Sequence, residues 1–191
     1  MKLNPSKTSE IVFSKRGSPE PPPNSGIQRF DTIKVLGIHI DNRLTFNHHV
    51  DDILGSCNQS LYALKTMRNY GLDQLNLQTI FKYLILSRLL SASVAWWGFC
   101  GQQNRHRLSA FLRKSEKYGY YDCNEPDLIQ IQEQTERKLF TTIISNDRHV
   151  FHDLLPPLKA STYSLRPRGH NFSFPSKDDR NFLVRCLYTY I

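Results

Sequence analysis

Adjacent aspartates are the first residues of this sequence that could do chemistry, because paired carboxylates can hold the metal ions of a phosphoryl-transfer site. Two such pairs are present, Asp51–Asp52 and Asp178–Asp179. The first pair lies within a helical pattern, where neighbouring side chains point about 100° apart and cannot face one pair of metal ions. We therefore predict no catalytic role for Asp51 and Asp52.

Histidines supply two further candidate metal sites. His39 and Asp41, with a distant histidine, have the ligand types of the iron(II) site of a 2-oxoglutarate dioxygenase. That enzyme fold needs a barrel of many strands, and only two strands can be recognised in this sequence. The other alternative is a zinc site built from His149, His152 and either Cys100 or Cys123. Both patterns are weak, and we expect no metal ion or other cofactor in this chain.

Positive charge is the strongest compositional signal. The net charge is +8, and the sequence pI is about 9.4. Residues 1–16 hold four Lys or Arg against one acidic residue, residues 105–117 five against one, and residues 159–185 six against two. Clustered cations attract polyphosphate and release its counterions, which favours a nucleic-acid partner. The alternative is an ordinary solvated basic surface.

The second basic stretch is predicted to form a helix from about Gln103 to Lys117. Leu108, Phe111 and Leu112 supply its inward face, and the cations lie elsewhere on it. Such a helix would hold phosphates without reading base sequence. The candidate nucleic-acid contacts are Arg105, Arg113, Lys114 and Lys117, together with Arg166 and Arg168, which flank a proline in an irregular segment.

The first 45 residues are predicted to form strands and turns. Glu10–Ser14 and Thr32–Asp41 are β-type runs, and the proline-rich stretch between them, from Gly17 to Gly26, is an expected exposed loop. We expect the two runs to pair in antiparallel fashion.

Helical periodicity begins near Asn47. A first helix is expected to end at Gly71, and a second, central helix would run from its cap Asp73 to Trp96. Asp127–Ser145 is a further helix, and Ser176 with Asp179 would cap a last short one ending near Tyr190. The predicted fold is mainly α with a small N-terminal β-hairpin (α+β): residues 1–45, a helical bundle at 46–155, and an irregular basic tail at 156–191.

A series of short motifs carries a resemblance across nearly the whole chain. LNPSKT at 3–8 is followed by VLGIHID at 35–41 and FNHHV at 46–50. Later come the SRLL to AWWGF run at 87–99, LLPP at 154–157 and LRPR at 165–168. In order and spacing these resemble the reverse transcriptases of non-LTR (LINE-type, jockey/CR1-like) retrotransposons, from the end of the palm through the thumb to the C-terminal tail.

The resemblance implies roles for three residues. Lys7 matches a lysine that lies near the departing pyrophosphate, where an ammonium group can stabilise phosphate charge. Leu36 and Gly37 match the primer grip, where a glycine lets the backbone approach the primer closely. The polymerase aspartates belong upstream of the LNPSKT element, and only two residues precede it here. The resemblance therefore implies a template–primer-binding fragment without polymerase activity of its own, with magnesium expected only in an intact polymerase.

The expected partners are RNA or an RNA/DNA duplex, and an intact retrotransposon polymerase, in the nucleus or cytoplasm. No signal peptide or membrane span is readable, and the four scattered cysteines are expected to be free thiols. A domesticated helical module that binds protein is the main alternative, and exposed apolar residues would favour it. Trp96, Trp97 and Phe99 could stack on bases but are expected in the core.

Overall fold

The computed structural model describes residues 4, 7–14, 17–159 and 169–190. The described chain is mainly helical with a small antiparallel hairpin near its N-terminus, which confirms the predicted fold class. It divides into two compact units. The first comprises Met1–Leu89 with Phe99–Leu108, and the second comprises Leu90–Gly98 with Ser109–Ile191. This grouping differs from the three consecutive segments expected from the sequence.

The strands of the first unit pair locally. β1 (Ser9–Glu10) pairs in parallel with β2 (Gln28–Arg29), and β3 (Thr32–Val35) pairs in antiparallel fashion with β4 (Ile38–Asp41). The run from Thr32 to Asp41 is thus a hairpin in itself, and its expected pairing with Glu10–Ser14 was wrong. Pairing across a two-residue turn closes a much shorter loop, and so costs less chain entropy than pairing across the proline-rich segment.

A single arginine organises the proline-rich loop. Arg29 donates to the Glu10 carboxylate at 2.9 Å and to the carbonyl oxygens of Pro21 and Pro22 at 2.8 and 3.1 Å. The hydrogen bond from Arg29 is the largest cause of the lowered pKa of Glu10. The loop is therefore tied to β1 and β2 by one guanidinium group.

The carboxylate of Asp41 stabilises the turn that leads into the first helix. It accepts hydrogen bonds from the backbone N–H groups of Arg43, Thr45 and Phe46 at 2.9 to 3.1 Å, and from the Thr45 hydroxyl at 2.9 Å. Partial burial acts to raise the pKa of Asp41, but the hydrogen bonds, those from Thr45 foremost, hold it below its ordinary value. The residue before the helix is Phe46, which lies in the left-handed region and makes no side-chain cap hydrogen bond.

Helix α1 (Asn47–Asn69) ends as predicted, with Gly71 at a φ of 89°. Asp73 caps α2 (Gln74–Ile80) by accepting the backbone N–H of Asn76. The helix continues as a π-helical segment, Phe81–Leu86, and as α3 (Ser87–Leu89). The core of this unit includes Val50, Cys57, Leu61, Leu64, Leu77, Phe81, Ile85, Leu89 and Leu108.

The expected central helix to Trp96 is interrupted after Leu89. Ala92 has a left-handed φ of 48°, and a separate short helix, α4 (Ser93–Trp96), follows in the second unit. Within this break, the Trp96 indole N–H donates a hydrogen bond to the Ser91 carbonyl at 3.1 Å. Trp96 and Trp97 are both buried, so the expectation that they belong to the core is confirmed.

Three further α-helices follow in the described chain, besides short 3-10 helical turns at Trp97–Phe99 and His152–Leu154. α5 (Gln102–Lys117) begins in the first unit and continues into the second. α6 (Leu128–Ser145) opens with a capping box in which Asp127 and Gln130 each accept the other's backbone N–H. α7 (Phe182–Thr189) is capped by Asn181, which accepts the N–H of Val184, so the expected cap at Ser176 was wrong.

The described part of the predicted irregular tail packs against α6. Phe140 of α6 forms a buried cluster with Cys186 and Leu187 of α7, and surrounding aromatic residues cover it. The ring of His170 hydrogen-bonds to the Leu187 carbonyl at 2.8 Å, and a β-bridge joins Leu158 to Phe172. Residues 169–190 are therefore an integral part of the second unit.

Candidate nucleic-acid interface

The burial of α5 decides which of its cations face solvent. Leu108, Phe111, Leu112 and Ser115 are buried, and they occupy one side of the helix. Residues at 113, 114 and 117 fall on the other side because a helix advances about 100° per residue. The side chains of Arg113, Lys114 and Lys117 are accordingly exposed.

These three exposed cations, Arg113, Lys114 and Lys117, form what we term the α5 cluster. No carboxylate in the described chain lies within ion-pair distance of any of them. Lys114 Nζ lies 6.0 Å from the centre of the Tyr118 ring, at the outer limit of a cation–π contact. The cluster keeps its charge available to an anionic ligand.

The N-terminal half of α5 differs from the cluster. Arg107 forms an ion pair with Asp51 at 2.6 Å and donates to Asn104 Oδ1 at 3.0 Å, so its charge is compensated within the first unit. Arg105 is half-buried and also belongs to the first unit. Of the four cations predicted on this helix, the structure therefore brings together Arg113, Lys114 and Lys117 in the second unit.

One cation of the third basic stretch, Arg185, is engaged in internal contacts. Arg166 and Arg168 lie outside the described residues. Arg185 donates two hydrogen bonds to the Glu136 carboxylate, at 2.7 and 3.2 Å, and both side chains are largely buried. Its other terminal nitrogen donates to the Asp179 carbonyl at 2.8 Å. The positive charge of Arg185 thus stabilises the packing of α7 on α6 and is not offered to a ligand.

Glycine is required beside this ion pair. Gly98 lies so close to the Arg185 guanidinium and the Arg180 carbonyl that a Cβ atom at this position would overlap both. Gln132 supports the pair by donating to Glu136 at 2.8 Å. The buried Gln132 and Glu136 interrupt the otherwise apolar inner face of α6, and the sequence pattern did not predict their burial.

The residues matched to the polymerase by resemblance occupy two exposed sites. Lys7 is exposed in a short turn in which its N–H donates to the Asn4 carbonyl at 3.1 Å. Leu36 and Gly37 form the tip of the β3–β4 hairpin, with φ values of 50° and 87°. Leu36 is 98% exposed, and the adjoining Val35 is also exposed. The hairpin therefore presents an aliphatic side chain at its tip.

The aspartate pair on α1 makes ordinary ion pairs. Asp51 binds Arg107, and Asp52 lies 3.3 Å from His39 Nε2 and 3.6 Å from Lys34 Nζ. Asp41 is the partner of His39 in the dioxygenase pattern. Its carboxylate accepts hydrogen bonds from the turn that precedes α1. No group of three or more potential metal ligands occurs within the described ranges.

The histidines of the other suggested metal site also have local partners. His149 Nδ1 accepts the N–H of Phe151 at 3.1 Å, and His152 Nδ1 lies 2.9 Å from the Ile143 carbonyl oxygen. Both contacts organise the chain that leaves the C-terminus of α6.

A histidine cluster joins the hairpin to α1 within the first unit. The ring centres of His39 and His48 are 4.5 Å apart, and the His39 backbone N–H points to His49 Nδ1 at 3.5 Å. His49 is buried, and its desolvation, assisted by the charge of His39, lowers its pKa. The folded chain therefore favours neutral His49.

No protein-family model, no curated protein and no solved structure matches this chain. None of the helices in the part of the chain that the structure describes is long and apolar enough to cross a membrane.

Proposed function

We propose that the chain binds nucleic acid through the α5 cluster, as a template–primer-binding fragment of a retrotransposon-type RNA-directed DNA polymerase. The observation that carries the proposal is three adjacent exposed cations on one helix, held in place by the buried residues behind them. Such an arrangement contacts phosphates and positions a duplex without reading its bases. RNA or an RNA/DNA duplex is the proposed ligand, in the nucleus or cytoplasm.

The resemblance assigns further contacts within this proposal. Leu36 and Gly37 at the hairpin tip would contact the primer, and Lys7 would lie towards the pyrophosphate side of an intact polymerase. Arg105 would add to the charge on α5, and Arg166 with Arg168 would contact the nucleic-acid backbone. Magnesium and an intact retrotransposon polymerase are partners that the resemblance implies.

A salt titration tests the α5 cluster. The proposal predicts that the full chain binds an RNA/DNA duplex at low salt, with the logarithm of the binding constant falling linearly with the logarithm of salt concentration. Replacing Arg113, Lys114 and Lys117 with glutamine removes three phosphate contacts. This change should weaken binding and make the salt slope shallower by roughly 2 to 3.

The matched control removes the same amount of charge elsewhere. Arg43, Lys138 and Arg148 are exposed cations on other elements, and the triple glutamine variant at these positions has the same net charge as the first. It should retain the salt slope of the unmodified chain. Equal losses in both variants would mean that binding follows net charge alone, and absence of binding at low salt would refute the proposal.

Protein binding is the second candidate function. Its supporting observation is a run of exposed apolar side chains after α6, namely Val150, Phe151, Leu154 and Leu158. Exposed apolar side chains concentrated in one segment are typical of interaction surfaces. Self-association or partner capture that is lost on replacing Val150 and Leu154 with serine, with unchanged duplex binding, would favour this function over the first.

A further inference from the structure

The outer face of α1 carries exposed tyrosines that the fold does not use. Tyr62 is 73% exposed and Tyr70, at the end of the helix, is 88% exposed. The buried residues Leu61 and Leu64 occupy the opposite side of the helix. A tyrosine stabilises a fold mainly by burying its ring. Because both rings are exposed, packing within the fold does not explain why tyrosine stands at these positions.

The two rings are spaced along one side of the helix. Tyr70 lies eight positions after Tyr62, which corresponds to about 12 Å along the axis and about 80° around it. Thr66 lies between them and turns its hydroxyl back to the Tyr62 carbonyl at 3.2 Å, which leaves only its small side chain between the rings. Flat ligands can therefore approach both tyrosines from the same side.

An open depression adjoins the second ring. It has a volume of about 490 Å³ and is lined by Thr66, Met67, Tyr70, Gly71 and Leu72. Met67 is partly exposed there and adds a polarisable apolar wall beside the Tyr70 ring. The depression could receive a planar group stacked on Tyr70.

The charge around these rings is positive. Residues 55–90 contain Lys65, Arg68, Lys82 and Arg88 against Asp73 as the one acidic residue. Lys65 is exposed on α1, one turn after Tyr62. Exposed aromatic rings next to cations are what a single-stranded nucleic acid requires, because its bases stack on the rings and its phosphates meet the cations.

We propose that Tyr62 and Tyr70 form a stacking platform for unpaired bases of single-stranded nucleic acid, with Lys65 contacting the phosphate backbone. Base stacking is tolerant of sequence because every base has a flat π-face. The platform distinguishes unpaired strands from duplexes, whose bases are already stacked on one another. It lies in the first unit and does not depend on the α5 cluster of the second.

The test compares two ligands of equal length and charge. One is a twelve-nucleotide oligothymidylate, and the other is the same backbone with abasic sites at all internal positions. The full chain should bind the first at least tenfold more tightly than the second. Replacing Tyr62 or Tyr70 with serine should reduce that preference by about fivefold or more each, within the range measured for base–aromatic stacking.

Two controls separate stacking from other effects. Tyr62→Phe and Tyr70→Phe keep the ring and should retain the preference. Ile129→Ser alters an exposed apolar residue of the second unit and should also leave the preference unchanged. Because stacking involves no counterions, the tyrosine variants should leave the salt slope as it is. The α5 cluster variant should change the slope for both ligands alike, so failure of one proposal is distinguishable from failure of the other.

Equal affinity of the unmodified chain for the two oligonucleotides would overturn the platform. So would a preference that survives the double serine variant. If that variant instead lowers a self-association constant measured by sedimentation and binds both oligonucleotides like the unmodified chain, the face is a protein interface and the proposal is wrong.

Discussion

At the scale of single residues, Gly98 is where the second unit leaves no room for a side chain. Gly98→Ala would place a methyl group against the Arg185 guanidinium and the Arg180 backbone. Since the Arg185–Glu136 pair is largely buried, moving it also disturbs its hydrogen bonds. We expect a loss of about 2 kcal/mol in the free energy of unfolding, measured by denaturant titration.

Gly55 provides the matched control for that substitution. It lies within α1, and an added Cβ would meet no atom within 4 Å. Gly55→Ala should stabilise the chain by up to about 1 kcal/mol, because alanine loses less backbone entropy in a helix. Similar effects of the two substitutions would contradict the close packing at Gly98.

His49 should make the stability of the first unit depend on pH. Its pKa is lowered in the folded chain by burial, so the unfolded chain binds a proton first as the pH falls. The stabilising effect of neutral His49 is therefore complete above about pH 6.5 and is lost as the pH falls through the folded pKa. Denaturation midpoints between pH 8 and pH 5 measure this loss.

The control for His49 must separate its effect from that of the six other histidines in the chain. His49→Gln should flatten the fall in stability below pH 6.5, whereas His106→Gln, at an exposed position of α5, should leave its slope unchanged. If both variants show the same pH profile as the unmodified chain, the buried histidine does not control acid stability.

At the scale of elements, the β3–β4 hairpin has an unusual residue at its turn. Left-handed backbone conformations at both turn positions favour Asn–Gly, and Leu36 occupies the asparagine position at a cost. Leu36→Asn should stabilise the hairpin by about 0.5 to 1 kcal/mol, seen as slower amide exchange in β3 and β4. Val35→Asn, on the strand beside it, should have the opposite effect because asparagine is a poor strand former.

Local sequence signals predicted some of these elements and missed others. The cap at Asp73 was predicted, because its side chain acts on the backbone three residues away. The Asp127 cap was not, and that residue was assigned to the helix itself. The α5 helix was also predicted almost to its ends. The Leu36–Gly37 turn was missed because leucine carries no turn signal, and the break at Ala92 was missed because neither glycine nor proline marks it.

The long-range contacts of the candidate site were harder to predict. Composition identified Arg107 and Arg185 as part of basic stretches, but their partners Asp51 and Glu136 are 56 and 49 residues away in sequence. Which cations remain available therefore depends on tertiary packing. The exposed tyrosines of α1 did carry a local signal, since they lie outside the apolar periodicity of that helix.

At the scale of the whole molecule, the proposed fragment should hold template–primer without extending it. Its adjacent aspartates on α1 are engaged by Arg107, Lys34 and His39, and they point in different directions on a helix. We therefore expect no templated incorporation of deoxynucleotides by the purified chain with magnesium or manganese. An intact reverse transcriptase on the same template–primer provides the positive control.

The informative variant in that assay is the pair Asp51→Asn and Asp52→Asn. If the unmodified chain incorporates nucleotides and this variant does not, the aspartates are catalytic and the fragment interpretation is wrong. If neither incorporates nucleotides while the unmodified chain retains salt-dependent duplex binding, binding and chemistry are separated. That separation is expected of a molecule whose net charge is positive and whose aspartates on α1 are held in ion pairs. Holding phosphates needs cations, whereas transferring them needs converging carboxylates.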